Sequence, residues 1–239
     1  MRISSLSLPL LMLLMLAGCQ SAPHANDPVQ PREFAISDVA KGDVDMVAEV
    51  SVRHSQRYLR ELARKLYLRN PNQLLRSDRP YLEVDQAVAR LFEDAPRNGL
   101  PQLQGKRSAE AVALAFDEHF AGDRVAAFIE GLRSMQVDAY GGDSDFYLHH
   151  EYDPQKIYHL ARNIEIAAWR LRTARDGAGN PWLLSNGQDS DGIVNLSYER
   201  LLGKLIALHD HFAHVVADTT NRRIKNVIQG VASAVFFPI

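Results

Sequence analysis

Apolar residues recur at helical spacing along most of the chain after Asp43, and this pattern restricts the fold more than any other feature. From Asp43 to Arg69 one helix face is predicted to carry Val47, Val50, Tyr58, Leu62 and Leu66. Asn70-Pro71-Asn72 ends that helix. Strand signals are scarce, and Gly192-Ile193-Val194 is at most a short extended piece. The sequence therefore predicts an all-α fold of about seven helices in a single helical-bundle domain.

Six further segments follow the same period. Their approximate predicted bounds are 82–93, 108–120, 125–135, 154–175, 197–215 and 222–237. Asp153-Pro154 has the form of an N-cap followed by proline at the first helical position. The helix that follows is apolar over a wide arc, with Ile166 and Trp169 off its main row, and such a helix is typically central.

The N-terminal segment carries a targeting pattern. Arg2 precedes an apolar run from Leu6 to Leu16, which is too short to span a bilayer because spanning takes about 20 residues. A signal peptide is therefore indicated. The run closes with Leu16-Ala17-Gly18-Cys19, and this motif resembles the lipobox of bacterial lipoproteins.

The resemblance implies that residues 1–18 are removed and that Cys19 carries a thioether-linked diacylglycerol and an acylated amine. Residues 19–40, with Pro23, Pro28 and Pro31, then form a flexible linker to a periplasmic domain at 41–239. In many such lipoproteins an aspartate after the cysteine marks retention in the inner membrane. Because Gln20 stands there, we expect a lipid anchor in the periplasmic leaflet of the outer membrane.

Composition narrows the function classes. The chain has 27 basic and 29 acidic residues and a net charge of −2, which gives no reason to expect nucleic acid as a partner. Its apolar content of 46% is enough for a real core. Cys19 is the only cysteine, so lipidation there leaves no thiol for catalysis.

The segment before the Asp153 cap is the first candidate for a binding surface, because binding residues concentrate on loops held by rigid elements. The candidate residues are Asp143, Asp145, His149, His150, Glu151 and Tyr152. The segment contains Asp-Ser-Asp at 143–145, and the sequence repeats it at 189–191; closely spaced aspartates of this kind can bind calcium. The second copy resembles part of an EF-hand loop, but Gly187 and Tyr198 occupy the first and twelfth positions, where that loop has ligands. The alternative is that both stretches are turns and helix caps.

The densest histidine cluster lies at 209–214. At about 100° per residue His209 and His211 point to opposite flanks, so the candidate ligands for a divalent metal are Asp210, His211 and His214. The alternative is that His209 and His211 border the core while Asp210 and His214 form a solvated pair. Glu118-His119 repeats the acid–His pattern, and two such pairs on facing helices would build a site.

No nucleophile elbow, P-loop or dinucleotide fingerprint is present, and Glu165 is expected to pair with Arg162 rather than act as an acid. We therefore expect a non-enzymatic outer-membrane lipoprotein whose helical module binds an envelope protein, with exposed apolar or aromatic surface. The alternative is a lipid-anchored protein that binds a metal or a small molecule in a pocket. For the C-terminal helix, which follows Arg222, Arg223 and Lys225, the single apolar stripe favours burial over contact with a membrane or partner.

Overall fold

Long helices make up most of the described chain. The structure, a computed structural model, describes residues 41–93, 99–142, 152–188 and 191–235, and of 221–235 the backbone alone. These residues contain a 3₁₀ helix (Pro101–Leu103), two isolated β-bridges, no β-strand and seven α-helices. The α-helices are α1 (Asp43–Arg69), α2 (Asn72–Leu75), α3 (Val84–Glu93), α4 (Ser108–Leu114), α5 (Arg124–Ala139), α6 (Pro154–Thr173) and α7 (Ser197–Val235). The all-α prediction is confirmed.

Three contacts fix the relative directions of the long helices. The Tyr198 hydroxyl in α7 donates to the Lys65 carbonyl of α1 at 2.9 Å, and Ser55 Oγ lies 3.3 Å from His209 Nε2. Residue numbers therefore rise along α7 as they fall along α1. Tyr152, just before α6, donates to Asp45 in the first turn of α1. We call the end where α1 and α6 begin the proximal end, and the end where α1 stops and α7 begins the distal end.

The first half of α1 buries a different face from the predicted one. Asp45, Ser51 and Ser55 are buried there together with Ala48, whereas Val50 is 42% exposed. The second half follows the prediction, with Leu62 and Leu66 in the core. The exposure of Val47 and Val50 corrects the predicted stripe. The face of α1 that is turned to α5 and α7 carries Ser55 instead, which bonds to Gln136 and lies 3.3 Å from His209.

Several helix ends follow the local signals in the sequence. α1 spans the predicted residues, and the Asn70 side chain bonds back to the Leu66 carbonyl at its end. Asp153 caps α6 by accepting from the Gln155 amide at 2.8 Å. α4 is shorter than predicted and ends at Leu114. The Arg124 side chain donates there to the carbonyls of Leu114, Ala115 and Phe120, which would otherwise bond within a longer helix.

The last two predicted helices are one continuous helix, α7. Thr219 and Thr220 lie at the expected break, but their hydroxyls donate to the carbonyls of Val215 and Val216 one turn earlier. Such bonds let hydroxyl side chains remain within a helix. Within the described ranges, no helix combines the length and the apolar character needed to cross a bilayer.

Candidate functional site

His209 is the centre of a buried polar network, contrary to the alternative that placed it at the border of the core. It is fully buried and joins α7 to α5 and α1. Its Nδ1 lies 3.0 Å from the Tyr140 hydroxyl and its Nε2 lies 3.3 Å from Ser55 Oγ, which donates to Gln136 Oε1 at 2.7 Å. The Tyr140 hydroxyl also bonds to Ser51. One tautomer satisfies these contacts, with Nε2–H donating to Ser55 and Nδ1 accepting from Tyr140.

This network stabilises the core and lacks the features of a catalytic pair. Burial lowers the pKa of His209 to about 3, so its ring is neutral at ordinary pH. Ser55 and His209 are residue types of a nucleophile and a base, but both are buried and the Ser55 hydroxyl donates away from the ring to Gln136. A nucleophile needs its proton directed at the base and its oxygen open to substrate.

Tyr152 is the one member of the predicted binding surface that the structure describes. It is half-buried, donates to Asp45 Oδ1 at 3.0 Å and packs edge-on against Phe212. Burial and the Asp45 carboxylate raise its pKa. Tyr152 thus attaches the start of α6 to α1. The other predicted residues lie outside the described ranges, namely Asp143, Asp145, His149, His150 and Glu151.

The three candidate metal ligands on α7 do not converge. Asp210 pairs with Arg162 of α6 at 2.5 Å, while His211 and His214 are exposed. Among the described residues no three His, Cys, Asp or Glu side chains are placed to hold a metal ion. Arg162 also pairs with Glu165 at 3.1 Å, the ion pair that the sequence predicts.

His119 lies in the non-helical segment after α4, so it does not face His211 from a neighbouring helix. Its ring pairs with its neighbour Glu118, and both side chains are exposed. A cleft of about 180 Å³ borders this segment, with Gln102, Lys106, Asp117 and His119 among its lining residues. Ligand sites usually enclose about 300–1,000 Å³, so this cleft is smaller than most of them.

A second buried polar cluster attaches the 174–196 loop to the bundle. The Arg124 guanidinium donates to the carbonyls of Ala115 and Phe120 and lies over the Trp182 ring at 4.0 Å. Beside it, the buried Asp123 caps α5 through the Ala126 amide and accepts from Tyr67, and burial raises its pKa to about 6. Burying such polar groups is costly unless they are bonded, so the cluster defines one position for Trp182.

The rest of this loop is attached at the distal end of α1. Asn70 Nδ2 donates to the Leu184 carbonyl and Asn70 Oδ1 accepts from the Leu184 amide, at 2.8 and 2.7 Å. The Asn195 amide donates to the Gly187 carbonyl at 2.8 Å, and the Arg69 guanidinium lies against Gly187. Leu183 is buried. The described residues of the loop are therefore held against α1 around Leu183 and Leu184, whereas residues 191–196 are exposed along their whole length.

The loop also exposes aliphatic side chains. Together with one residue of α1 they form what we call the distal patch: Leu68, Leu184, Ile193, Val194 and Leu196, each between 45% and 67% exposed. Fully burying such a side chain contributes about 1.5–3 kcal/mol, so covering the exposed half gives about 1 kcal/mol per residue. Apolar side chains grouped on a monomer surface are typical of sites that bind other molecules.

Two cations lie beside the distal patch. Arg69 follows Leu68, and Arg200 lies one helical turn after Leu196. Both are exposed, and in the described part of the chain neither pairs with a carboxylate. Arg69 and Arg200 thus flank the patch with positive charge, while Asp191 and Glu199 carry carboxylates on the same segments.

α6 carries a smaller exposed apolar surface. Ile166 and Trp169 are both more than half exposed, so the prediction of a central helix, buried over a wide arc, is wrong. Its core contacts come from the narrower row that includes Ile157, Leu160 and Ile164.

Sequence reasoning did not identify the distal patch, although Leu183-Leu184 and Ile193-Val194-Asn195-Leu196 are apolar runs within a polar loop. Comparison of the chain with protein-family models, curated proteins and solved structures finds no match. Functional inference therefore depends on this geometry and on the N-terminal motif.

Proposed function

We propose that this protein is a non-enzymatic lipoprotein of the outer membrane, anchored through Cys19 and facing the periplasm, which binds an envelope protein through the distal patch. The observation that carries the proposal is the set of five exposed aliphatic side chains, four on a loop with fixed attachment points and one at the adjoining end of α1. A loop held by Asn70 and Arg124 loses little further entropy when a partner binds it.

The position of the patch supports this reading. The linker that follows Cys19 joins the domain at Asp43, at the proximal end, whereas the patch lies at the distal end. α1 spans 27 residues between them, about 40 Å of helix. A lipid anchor on one end leaves the other end accessible to a protein in the periplasm or in the opposite membrane.

The rim indicates the chemistry of the partner. Arg69 and Arg200 favour a segment that combines aliphatic side chains with carboxylates, because opposite charges at the rim speed association and select partners. The five aliphatic side chains would supply most of the affinity. We therefore expect binding that weakens with added salt without being lost.

Lipidation is tested by labelling cells with radioactive palmitate. The wild-type protein is expected to be labelled and to sediment with the membranes, and Cys19→Ala to lose both properties. Labelled Cys19→Ala would contradict the anchor.

Partner binding is tested by crosslinking the lipidated protein in intact cells, with Leu196→Asp as the disruptive variant. Ile166→Asp, at an exposed aliphatic residue on α6, is the matched control. A specific crosslinked protein should be lost with Leu196→Asp and retained with Ile166→Asp. Replacing the acidic residues of that protein's contact segment should weaken the crosslink. Equal crosslinking of both variants would contradict the distal patch as the binding site.

A further inference from the structure

α7 continues well past the helices it packs against. Ser55 of α1 lies opposite His209 of α7. Asp43 precedes Ser55 by as many residues as Asn221 follows His209, so Asn221 lies at about the level where α1 begins. Beyond this level the helix runs on to Val235, about 22 Å at 1.5 Å per residue. We call residues 221–235 the α7 extension.

The sequence of the extension is amphipathic and basic. Positions 224, 227, 228, 231 and 235 are Ile or Val and fall within an arc of about 100° on a helix. Arg222, Arg223 and Lys225 precede or interrupt them, and residues 219–239 contain no Asp or Glu in a chain whose net charge is −2. A helix with an apolar stripe and basic residues is suited to the interface of an anionic bilayer.

Exposed apolar residues also occur on α1 at the same end. Met46, Val47 and Val50 lie in its first two turns, with Val50 four residues after Met46 and three after Val47, and each is more than a third exposed. We call them the α1 stripe. The proximal end thus combines an exposed apolar stripe on α1 with the amphipathic sequence of the α7 extension.

We propose that the proximal end of the domain docks directly on a lipid surface through the α7 extension and the α1 stripe. The inference deepens the proposed function and rests on it for the identity of the surface, since the linker from Cys19 joins the domain at Asp43, beside both elements. The lipid anchor would raise the local lipid concentration, and the helical contacts would fix how the domain stands on the membrane.

Charge favours lipid over a second copy of the chain. A second copy would bring three more cations to the same region, where two carboxylates of α1 are already engaged, Asp45 with Tyr152 and Glu49 with Lys41. Anionic lipid headgroups supply the missing negative charge. The sequence pattern alone favoured burial of this helix, but the register of α7 against α1 places the extension beyond the core.

The test uses the mature chain with Cys19→Ala, so that binding does not depend on the anchor. We expect it to float with vesicles of phosphatidylglycerol and phosphatidylethanolamine and to bind vesicles of phosphatidylcholine more weakly. Replacing Arg222, Arg223 and Lys225 with glutamine should weaken binding to the anionic vesicles by about 100-fold, because each cation near such a surface contributes about fivefold.

Two matched pairs of variants locate the contact. Val231→Asp should reduce vesicle binding by at least fivefold, whereas Ser233→Asp adds the same charge on the opposite side of the helix and should have a smaller effect. Val50→Asp should weaken binding, and Ile166→Asp, at an exposed aliphatic residue of α6 outside both elements and outside the distal patch, should not. Circular dichroism verifies that each variant is folded.

Failure of the parent chain to bind anionic vesicles, or equal losses within each pair, would overturn the inference. A concentration-dependent dimer that Val231→Asp abolishes would also overturn it, in favour of a second copy. Because the vesicle assay uses a chain without lipid, these results are independent of palmitate labelling at Cys19 and of crosslinking through the distal patch.

Discussion

Replacing His209 with glutamine tests whether the buried imidazole makes the fold sensitive to acid. Glutamine retains one donor and one acceptor for Ser55 and Tyr140 but does not titrate. In the wild-type protein burial lowers the pKa of His209 from 6.5 to about 3. Between these two pH values the unfolded chain binds a proton that the folded chain excludes.

The sign and size of the effect follow from that difference. The stability that the neutral ring provides is complete above about pH 7 and is lost as the pH falls, by about 1.4 kcal/mol per pH unit. From pH 7.5 to 4.5 the free energy of unfolding falls by about 3 kcal/mol, because in the unfolded chain His209 binds its proton only as the pH falls through about 6.5. Total stabilities are about 5–15 kcal/mol, so a loss of this size is measurable.

The assay is urea unfolding followed by circular dichroism, on the mature Cys19→Ala chain with and without His209→Gln, at pH 7.5, 6.0 and 4.5. We expect the wild type to be more stable by about 1–3 kcal/mol at pH 7.5, from its better hydrogen bonds. This advantage should shrink by about 3 kcal/mol at pH 4.5. Asp123 and the other ionisable residues are the same in both chains, so their contributions to the free energy of unfolding cancel in the difference. An advantage that stays constant with pH would refute the assignment of a neutral, buried ring.

Four further substitutions test other features of the fold by the same unfolding assay. Gly131→Ala should destabilise the protein by about 1–3 kcal/mol, because its β-carbon would lie 2.6 Å from Val112 Cγ2, whereas Gly203→Ala has open space and should stabilise it by about 0.5–1 kcal/mol. Arg124→Met should cost about 2–4 kcal/mol, because it leaves carbonyls at the end of α4 without donors. Asp123→Asn removes a charge that burial disfavours. The free energy of unfolding of this variant, relative to that of the wild type, should therefore be higher at pH 8 than at pH 4 by about 3 kcal/mol.

Each of these has a contrary outcome. Equal effects of alanine at both glycines would contradict the close approach of α4 and α5. An Arg124→Met variant as stable as the wild type would mean that the carbonyls find other donors. An Asp123→Asn effect that does not change with pH would place the titration of that carboxyl in its ordinary range.

Sequence signals that act within one or two turns were enough to define most of the helices. Asn70-Pro71 ends α1 and Asp153-Pro154 starts α6 as predicted, because a cap or a proline changes the backbone of its own neighbours. Where a distant side chain intervened, the bounds were wrong. α4 ends early beside Arg124, and Thr219 and Thr220 bond back into α7 where a break was expected.

Burial and site geometry depended on the tertiary structure. Spacing alone placed Val47 and Val50 of α1 in the core, but Ser51 and Ser55 face inward because Tyr140 and His209, far away in sequence, offer them hydrogen bonds. The distal patch likewise exists because Asn70 and Arg124 hold a loop more than 50 residues away along the chain. Periodicity reports which residues share a face of a helix. Which face is buried, and which apolar run stays on the surface, is decided by partners that only folding brings together.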